Sequence, residues 1–313
     1  MSRPPAESGD RFAALPDGIE LCYRVDGAPD GNPLVLIGGL GVDLVLWPDE
    51  MIAGLVSAGF RVIQFDNRDC GRSSSIEANA PSPLALVTGQ LRGDGYDLGD
   101  MANDTAALLD SLHIDRAHIV GMSMGGMIAQ TLAARRPDRV QSLTSIFSTT
   151  GRRRIGGPAL TTMALLARRP ATTTAHATWQ RLTLNRHIAS AGFPFDEAAA
   201  LRGIAASLAR LGNADPNARM RRQIGAIKRS GDRSAELRGV IAPTLVIHGD
   251  RDRMVHPSGG VATQQAVAGA RLHTIPGMGH DLPEAAVPQI VDLIAGHAVA
   301  RDPQTRAGNQ TAR

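Results

Sequence analysis

Short, largely apolar runs recur along this chain, and they constrain its fold more than any other feature. Pro33–Ile37, Ala117–Val120 and Thr244–His248 are such runs, and a glycine follows each of them. Continuous rather than alternating apolarity is typical of strands that are buried on both faces of a sheet. Helix-like patterns separate the runs, for example at Met124–Arg135 and Glu284–Ala298. Strands that alternate with helices predict an α/β fold with a mostly parallel sheet covered on both faces.

One segment, residues 152–235, interrupts this alternation. It consists of helix-like stretches rich in Ala, Leu and Arg, so we predict a helical cap (a lid) inserted into the sheet domain rather than a separate tandem domain. Its aromatic residues Trp179, Phe193 and Phe195 are expected to contribute to an apolar roof over a pocket. The predicted organisation is a loose N-terminal tail at 1–10, the first part of the core at 11–151, the cap at 152–235, the second part of the core at 236–298 and a loose tail at 299–313.

Composition excludes several classes of protein. The chain of 313 residues is 43% hydrophobic, which is too apolar for disorder and enough for a real core. No apolar run approaches the roughly 18 residues that span a bilayer, and the first ten residues lack the apolar stretch of a secretory signal. Cys22 and Cys70 make no disulfide framework, and no Cys/His cluster has the spacing of a metal site. We therefore expect a cytoplasmic protein with no integral membrane segment and no metal.

The charge is distributed unevenly along the chain. The formal net charge is +3, but residues 152–235 contain 15 basic and 4 acidic residues, so this segment carries +11 and the remainder −8. Two interpretations are open: attraction of anionic substrates or acidic surfaces, or solvated outer faces of helices. No recognised nucleic-acid motif or aromatic platform accompanies the arginines, so a nucleic-acid partner is not expected. The sequence makes no prediction of the oligomeric state.

A serine motif of the form G-x-S-x-G, Gly121–Gly125, lies directly between a predicted strand and a predicted helix. In this context the small residues allow a sharp strand-to-helix turn, which exposes the Ser123 hydroxyl at the carboxyl end of the sheet. The backbone N–H of Met124 can then point at a developing oxyanion. The alternative interpretation is a glycine-rich turn that happens to contain a serine.

A serine hydroxyl is a weak nucleophile and needs a general base. His280 lies in a glycine-rich loop between the last predicted strand and the last helix, from which its imidazole can reach Ser123. The base must itself be oriented by an acid. Two carboxylates follow the strand that ends at His248; we choose Asp252 as the acid and expect Asp250 to cap the turn. The sequence thus predicts a Ser123, Asp252 and His280 triad.

The second oxyanion donor is expected from the loop after the first buried strand. That loop is Gly38–Gly41, whose glycines let the backbone approach a ligand closely. We predict the Leu40 N–H as the donor, with Gly39 in contact with the substrate. Trp47 is predicted either to pack where this loop joins the next helix or to line the substrate pocket. This chemistry requires no cofactor.

Together these motifs resemble those of the α/β-hydrolase superfamily, over roughly residues 12–298. Asp66–Ser73 is also similar to the D-x-R-x-x-G-x-S loop of that family. The Pro16–Gly18 turn and the D-N-R-D form of the loop resemble the aclacinomycin methylesterase-like esterases. The resemblance implies an α/β-hydrolase fold and a serine esterase that cleaves a carboxylic ester, such as a methyl ester of a polyketide-like or other small apolar acid, through an acyl-enzyme.

Two features qualify this resemblance. Many relatives carry His where this chain has Gly38, so a usual hydrogen bond that supports the oxyanion loop is absent. Asp66, Arg68 and Asp69 are expected to tie their loop together by ion pairs and backbone contacts rather than to act in catalysis. Lactonases, perhydrolases of the haloperoxidase type and carbon–carbon bond hydrolases use the same triad, and a non-catalytic ligand receptor on this fold is a different class; the sequence leaves these alternatives open.

Overall fold

The computed structural model describes residues 9–91, 95–212 and 214–299, so most of both predicted tails lies outside the described residues. Within the described residues, eight strands form one sheet. The strands are β1 (Arg11–Ala14), β2 (Glu20–Asp26), β3 (Asn32–Ile37), β4 (Phe60–Phe65), β5 (Ala117–Met122), β6 (Val140–Ile146), β7 (Thr244–Gly249) and β8 (Arg271–Ile275).

The strand order is β1-β2-β4-β3-β5-β6-β7-β8. The pairs β1–β2 and β2–β4 are antiparallel, and the other five neighbouring pairs are parallel, which confirms the prediction of a mostly parallel sheet. Ile37 at the end of β3 lies opposite Gly121 near the end of β5. Because parallel strands end at the same edge of a sheet, the loop after β3 and the serine motif after β5 are neighbours.

Helices cover both faces of the sheet. They are α1 (Asp49–Ser57), α2 (Pro83–Thr88), α3 (Leu98–Ser111), α4 (Met124–Arg135), α5 (Leu160–Leu166), α6 (Thr174–Ile188), α7 (Glu197–Arg210), α8 (Pro216–Ser230), α9 (Ser234–Leu237), α10 (Ser258–Ala266) and α11 (Val287–Val299). Helices α5 to α9 all lie in the chain between β6 and β7. Several begin at a side-chain cap: for α8, Asp215 accepts a hydrogen bond from the N–H of Asn217, and Pro216 occupies the first turn, where its missing N–H costs nothing.

Two apolar layers hold the helices to the sheet. Along β3, Val35 and Ile37 point into the layer formed with α3 and α4, whereas Leu34 and Leu36 point into the layer formed with α1 and α11. All four side chains are fully buried, and each contributes about 1.5–3 kcal/mol through removal from water. Burial on both faces is therefore the physical reason for the continuous apolar runs in the sequence.

Ion pairs add a second connection between residues 152–235 and the sheet domain. Arg210 of α7 has no exposed side-chain surface and donates to Asp66 at 2.6 Å and to Asp10 at 2.8 Å. Arg222 of α8 pairs with Asp69 at 2.6 Å. The assignment of Asp10 to a loose tail is therefore wrong, since its buried carboxylate is held by arginines from distant parts of the chain.

Candidate active site

Ser123 occupies the sharp turn between β5 and α4, with φ 55° and ψ −120°. This left-handed backbone conformation is strained for a residue with a side chain and exposes the hydroxyl at the carboxyl end of the sheet. Gly121 and Gly125 next to it leave no room for a Cβ atom. A Cβ atom on Gly121 would lie 2.1 Å from the carbonyl oxygen of Gly125, and one on Gly125 would lie 2.0 Å from that of Ile37.

The structure brings the three predicted triad residues into one hydrogen-bonded chain. Ser123 Oγ lies 2.9 Å from Nε2 of His280, and Nδ1 of the same ring lies 2.7 Å from Oδ2 of Asp252. A carboxylate can only accept, so Nδ1 carries the hydrogen and Nε2 presents its lone pair to the serine hydroxyl. The geometry thus allows His280 to take the proton of Ser123.

The environment of Asp252 keeps this carboxyl ionised. Its second oxygen accepts hydrogen bonds from the backbone N–H groups of Met254 and Val255, both at 2.8 Å. Burial alone would raise the pKa of Asp252, but the charge of His280 and the hydrogen bonds from His248, His280 and Val255 hold it at about 2. A negative Asp252 stabilises the imidazolium that His280 becomes on accepting a proton.

Asp250, the other candidate for the acid that orients His280, makes a different contact from the same turn. It is exposed, and its Oδ1 accepts a hydrogen bond from the N–H of Gly277 at 2.6 Å. It therefore joins the turn after β7 to the start of the loop that carries His280, as expected for a turn cap.

The C-terminal end of α6 and the turn that follows it support the His280 loop. The N–H of His280 donates to the carbonyl of Ile188 at 2.8 Å, and the N–H of Gly279 donates to Ser190 Oγ at 2.8 Å. On the core side, the ring of Phe147 lies 4.5 Å from the His280 ring, centre to centre. Sequence reasoning did not find Ser190 or Phe147. The only available signal was the position of Phe147 at the end of β6, next to the strand that leads to Ser123.

A second histidine contacts Asp252, the predicted acid of the triad. His248 is 1% exposed, and its Nε2 lies 2.9 Å from the carbonyl oxygen of Val255 and 3.4 Å from Oδ2 of Asp252. Because a carbonyl only accepts, Nε2 carries the hydrogen. His248 therefore supports the loop of Asp252 from within the core.

Both predicted oxyanion donors belong to segments next to Ser123: Leu40 follows Gly39, and Met124 follows Ser123 itself. A Cβ on Gly39 would lie 3.2 Å from Cβ of Ser123 and 3.7 Å from its Oγ, so the backbone that leads into Leu40 runs directly past the nucleophile. Met124 is the first residue of α4, where a helix leaves its N–H groups without partners inside the helix. Asn67 donates to the carbonyl of Gly38 at 3.0 Å and holds the start of the loop.

The structure does not support every predicted contact. Trp47 is 3% exposed and packs in the layer with α1 and α11, which is the position of a core residue and not of a substrate contact. Trp179 is 52% exposed, with the guanidinium of Arg168 4.9 Å from its ring centre, so it does not belong to a buried roof. Phe193 does pack, partly buried, against the same layer as Trp47.

The loop after β4 is held together as predicted. The two carboxylate oxygens of Asp66 accept hydrogen bonds from the backbone N–H groups of Leu44 and Arg72, both at 2.8 Å. Arg68 binds both oxygens of Asp104, at 2.6 and 2.5 Å. These side chains therefore connect loops and helices, which confirms the predicted ion pairs and backbone contacts.

In the described part of the chain, no group of three or more His, Cys, Asp and Glu side chains could hold a metal ion. The helices described here are also too short or too polar to cross a membrane.

Comparisons with known proteins agree with this architecture. A family model described as the alpha/beta hydrolase fold matches residues 32–285. Rhodomycin D methylesterase DauP from Streptomyces sp. (strain C5) is 29% identical over 303 residues, which cover 91% of this chain and 96% of that protein.

Two solved structures illustrate the similarity of the fold. The enol-lactonase from Burkholderia xenovorans LB400 superposes with a TM-score of 0.66 at 26% identity, covering 93% of this chain and 98% of that one. The esterase RhEst1 from Rhodococcus sp. ECU1013 superposes with a TM-score of 0.74 at 22% identity, covering 94% and 100%. With the family model spanning most of the sheet and the helices between β6 and β7, the chain belongs to the alpha/beta hydrolase fold family.

Proposed function

We propose that this protein is a carboxylic ester hydrolase that works through an acyl-enzyme, with Ser123 as nucleophile, His280 as general base and acid, and Asp252 as the residue that orients His280. The observation that carries this proposal is the hydrogen-bonded chain from Ser123 Oγ through His280 to Asp252, at 2.9 and 2.7 Å. Its position after β5, in a strained turn that presents the hydroxyl, is the one nucleophilic catalysis needs.

The reaction follows from this geometry. Ser123 Oγ attacks the ester carbonyl carbon while Nε2 of His280 takes the hydroxyl proton. The negative charge on the former carbonyl oxygen is stabilised by the N–H groups of Leu40 and Met124. The tetrahedral adduct then breaks its bond to the alcohol oxygen, which receives the proton from His280. Water repeats the sequence on the acyl-enzyme and releases the acid and free Ser123.

The substrate that we propose is a methyl ester of a polyketide-like or other small apolar acid. Support comes from the methylesterase relative, which aligns with nearly the whole chain, and from apolar side chains at and near the His280 loop. Phe147 packs against the His280 ring, and the partly buried Phe193 follows the turn that contacts the His280 loop. In this proposal residues 152–235 act as the cap that selects the acyl group.

A lactonase is the second candidate. A lactone is an internal ester and would react at the same nucleophile by the same steps. The similarity to a solved enol-lactonase, at 26% identity over nearly the whole of both chains, favours this candidate over the other activities that share the triad. Parallel assays with methyl esters and with five- and six-membered lactones would separate the two, since the preferred class should show the higher kcat/KM.

Replacing the nucleophile tests the proposed function directly. Ser123→Ala should lower the hydrolysis of p-nitrophenyl butyrate by roughly 10⁴-fold or more, because binding and the oxyanion site alone supply only a residual rate. Ser111→Ala is the matched control, since Ser111 ends α3 and, among the described residues, its hydroxyl bonds only the carbonyl of Leu108; its activity should match wild type. Retention of activity by Ser123→Ala would refute the assignment.

A further inference from the structure

Helix α8 reaches the oxyanion loop through one buried side chain, Gln223. This residue has no exposed surface. Its Oε1 accepts a hydrogen bond from the N–H of Gly41 at 2.9 Å, and its Nε2 donates to the carbonyl of Arg68 at 2.9 Å. One partner is a donor and the other an acceptor, so the orientation of the amide is determined by its neighbours.

The bond to Gly41 acts on the peptide that follows Leu40. Gly41 has φ +64°, and the N–H of Val42 closes a turn onto the carbonyl of Gly39 at 3.2 Å. A partner fixed on the Gly41 N–H sets the plane of the peptide between Leu40 and Gly41. It thereby limits rotation of the neighbouring peptide, which carries the Leu40 N–H.

The loop has no side chain of its own at Gly38 to support it. Asn67 holds the carbonyl of Gly38 from the sheet side, at 3.0 Å. Gln223 holds the other end of the loop, at Gly41, from the helical side. The two amides therefore hold the loop at both of its ends, from outside the loop.

Gln223 is itself held firmly, because α8 is tied to the core next to it. Arg222 binds both oxygens of Asp69, at 2.8 and 2.6 Å. One turn earlier, Arg219 donates to the carbonyl of Gly71 at 2.8 Å. Because this two-oxygen ion pair fixes α8, it also fixes the backbone of Gln223. The position of the loop therefore depends on the position of α8, through the hydrogen bond between the Gly41 N–H and Gln223.

We propose that Gln223 is a positioning residue for the oxyanion hole: it holds the Leu40 N–H in the direction that the transition state requires, so the catalytic rate depends on the docking of α8. The inference rests on the proposed function, because an oxyanion hole has a role only if Ser123 attacks an ester. Gln223 itself touches neither the substrate nor the reacting atoms.

The test is Gln223→Met, which fills a similar volume and removes both hydrogen bonds. The oxyanion contact is made in the transition state and not in the ground state, so kcat for p-nitrophenyl butyrate should fall by roughly 10–100-fold while KM stays within about threefold. The inhibition constant of an alkyl trifluoromethyl ketone, which forms a tetrahedral adduct on serine, should rise by a similar factor. Gln223→Glu keeps an oxygen opposite the Gly41 N–H and should retain kcat within about fivefold of wild type.

Ser230→Ala provides the matched control. Ser230 also lies on α8 and also accepts a hydrogen bond from a core N–H, that of Leu98 at 2.9 Å, but it is not bonded to the oxyanion loop. This variant should keep kcat within about twofold although its thermal unfolding temperature falls, since it too loses a hydrogen bond that joins α8 to the core.

Three outcomes would overturn the inference. These are unchanged kcat and ketone affinity in Gln223→Met, equal losses in Gln223→Met and Gln223→Glu, and a loss of kcat in Ser230→Ala that matches the loss in Gln223→Met. Failure of the proposed function is seen separately, as ester hydrolysis that survives in Ser123→Ala and as a wild-type protein that the ketone does not inhibit.

Discussion

At the scale of the residue, two buried aspartates show how hydrogen-bond donors decide whether a carboxyl is ionised. Asp252 accepts two backbone N–H groups and a histidine, which hold its pKa at about 2 in spite of burial. Asp43 is equally buried, and its Oδ1 has no hydrogen-bond partner among the described residues. Burial and the nearby charge of Asp66 raise the pKa of Asp43 to about 6, against the hydrogen bond from Ser207.

The pKa of Asp43 predicts a pH-dependent effect of Asp43→Asn on stability. The folded pKa of about 6 exceeds the ordinary value of 3.8, so the folded state holds the proton more tightly and loses stability as pH rises from 4 to 6. The neutral amide avoids this loss, so the variant should be more stable than wild type by about 1–3 kcal/mol at pH 8 and by little at pH 4.

Urea unfolding of both proteins at the two pH values measures this effect. Asp30→Asn, in an exposed turn, is the control for removal of a charge without burial, and it should change the free energy of unfolding by less than about 0.5 kcal/mol at either pH. An equal gain for Asp43→Asn at pH 4 and pH 8 would contradict the ionisation of Asp43 as the cause.

At the scale of the element, the sequence predicts best the strands, helices and motifs that depend on a local pattern of residues. The buried strands and long helices follow from apolar runs and periodicity, and the triad follows from motifs that each occupy a few adjacent residues. The short helix α2 was not predicted; it depends on the Ser82 cap and on packing against α8. Gln223 was not found because its partner Gly41 is 182 positions away, and nothing in the sequence near either residue marks the contact.

The contact between α7 and the sheet domain predicts a large effect of one arginine. Arg210→Met leaves the carboxylates of Asp66 and Asp10 buried without this partner, which should lower the free energy of unfolding by about 3–5 kcal/mol. Arg186→Met removes an ion pair with Glu197 whose two side chains are 58% and 49% exposed, and should cost less than about 1 kcal/mol. Urea unfolding at pH 7 measures both; equal losses would show that the buried pairs do not hold α7 in place.

At the scale of the whole molecule, the formal charge of +3 is the sum of two parts that contact each other. Arg210 and Arg222 from the basic segment are buried against Asp66 and Asp69 of the acidic core. The two interpretations of the sequence, attraction of anionic substrates and solvated helix faces, did not include such buried ion pairs between the two parts. Other arginines of the segment do face solvent, among them Arg152–Arg154, Arg168 and Arg169. The question of steering therefore concerns these exposed groups and not the total of +11.

Salt dependence decides whether the exposed arginines attract substrates. They lie on the same segment as the loop that contacts His280, so a field from them should raise the local concentration of an anionic ester. Between about 20 and 300 mM NaCl, kcat/KM for mono-p-nitrophenyl succinate should fall by roughly 3–10-fold, and that for neutral p-nitrophenyl butyrate should stay within about twofold. Replacing Arg153 and Arg169 by glutamine should flatten the first response, whereas Arg11→Gln, an exposed arginine on β1, should leave it unchanged. Equal salt responses of the two esters would mean that these arginines do not attract the substrate and only form the solvated outer faces of the helices.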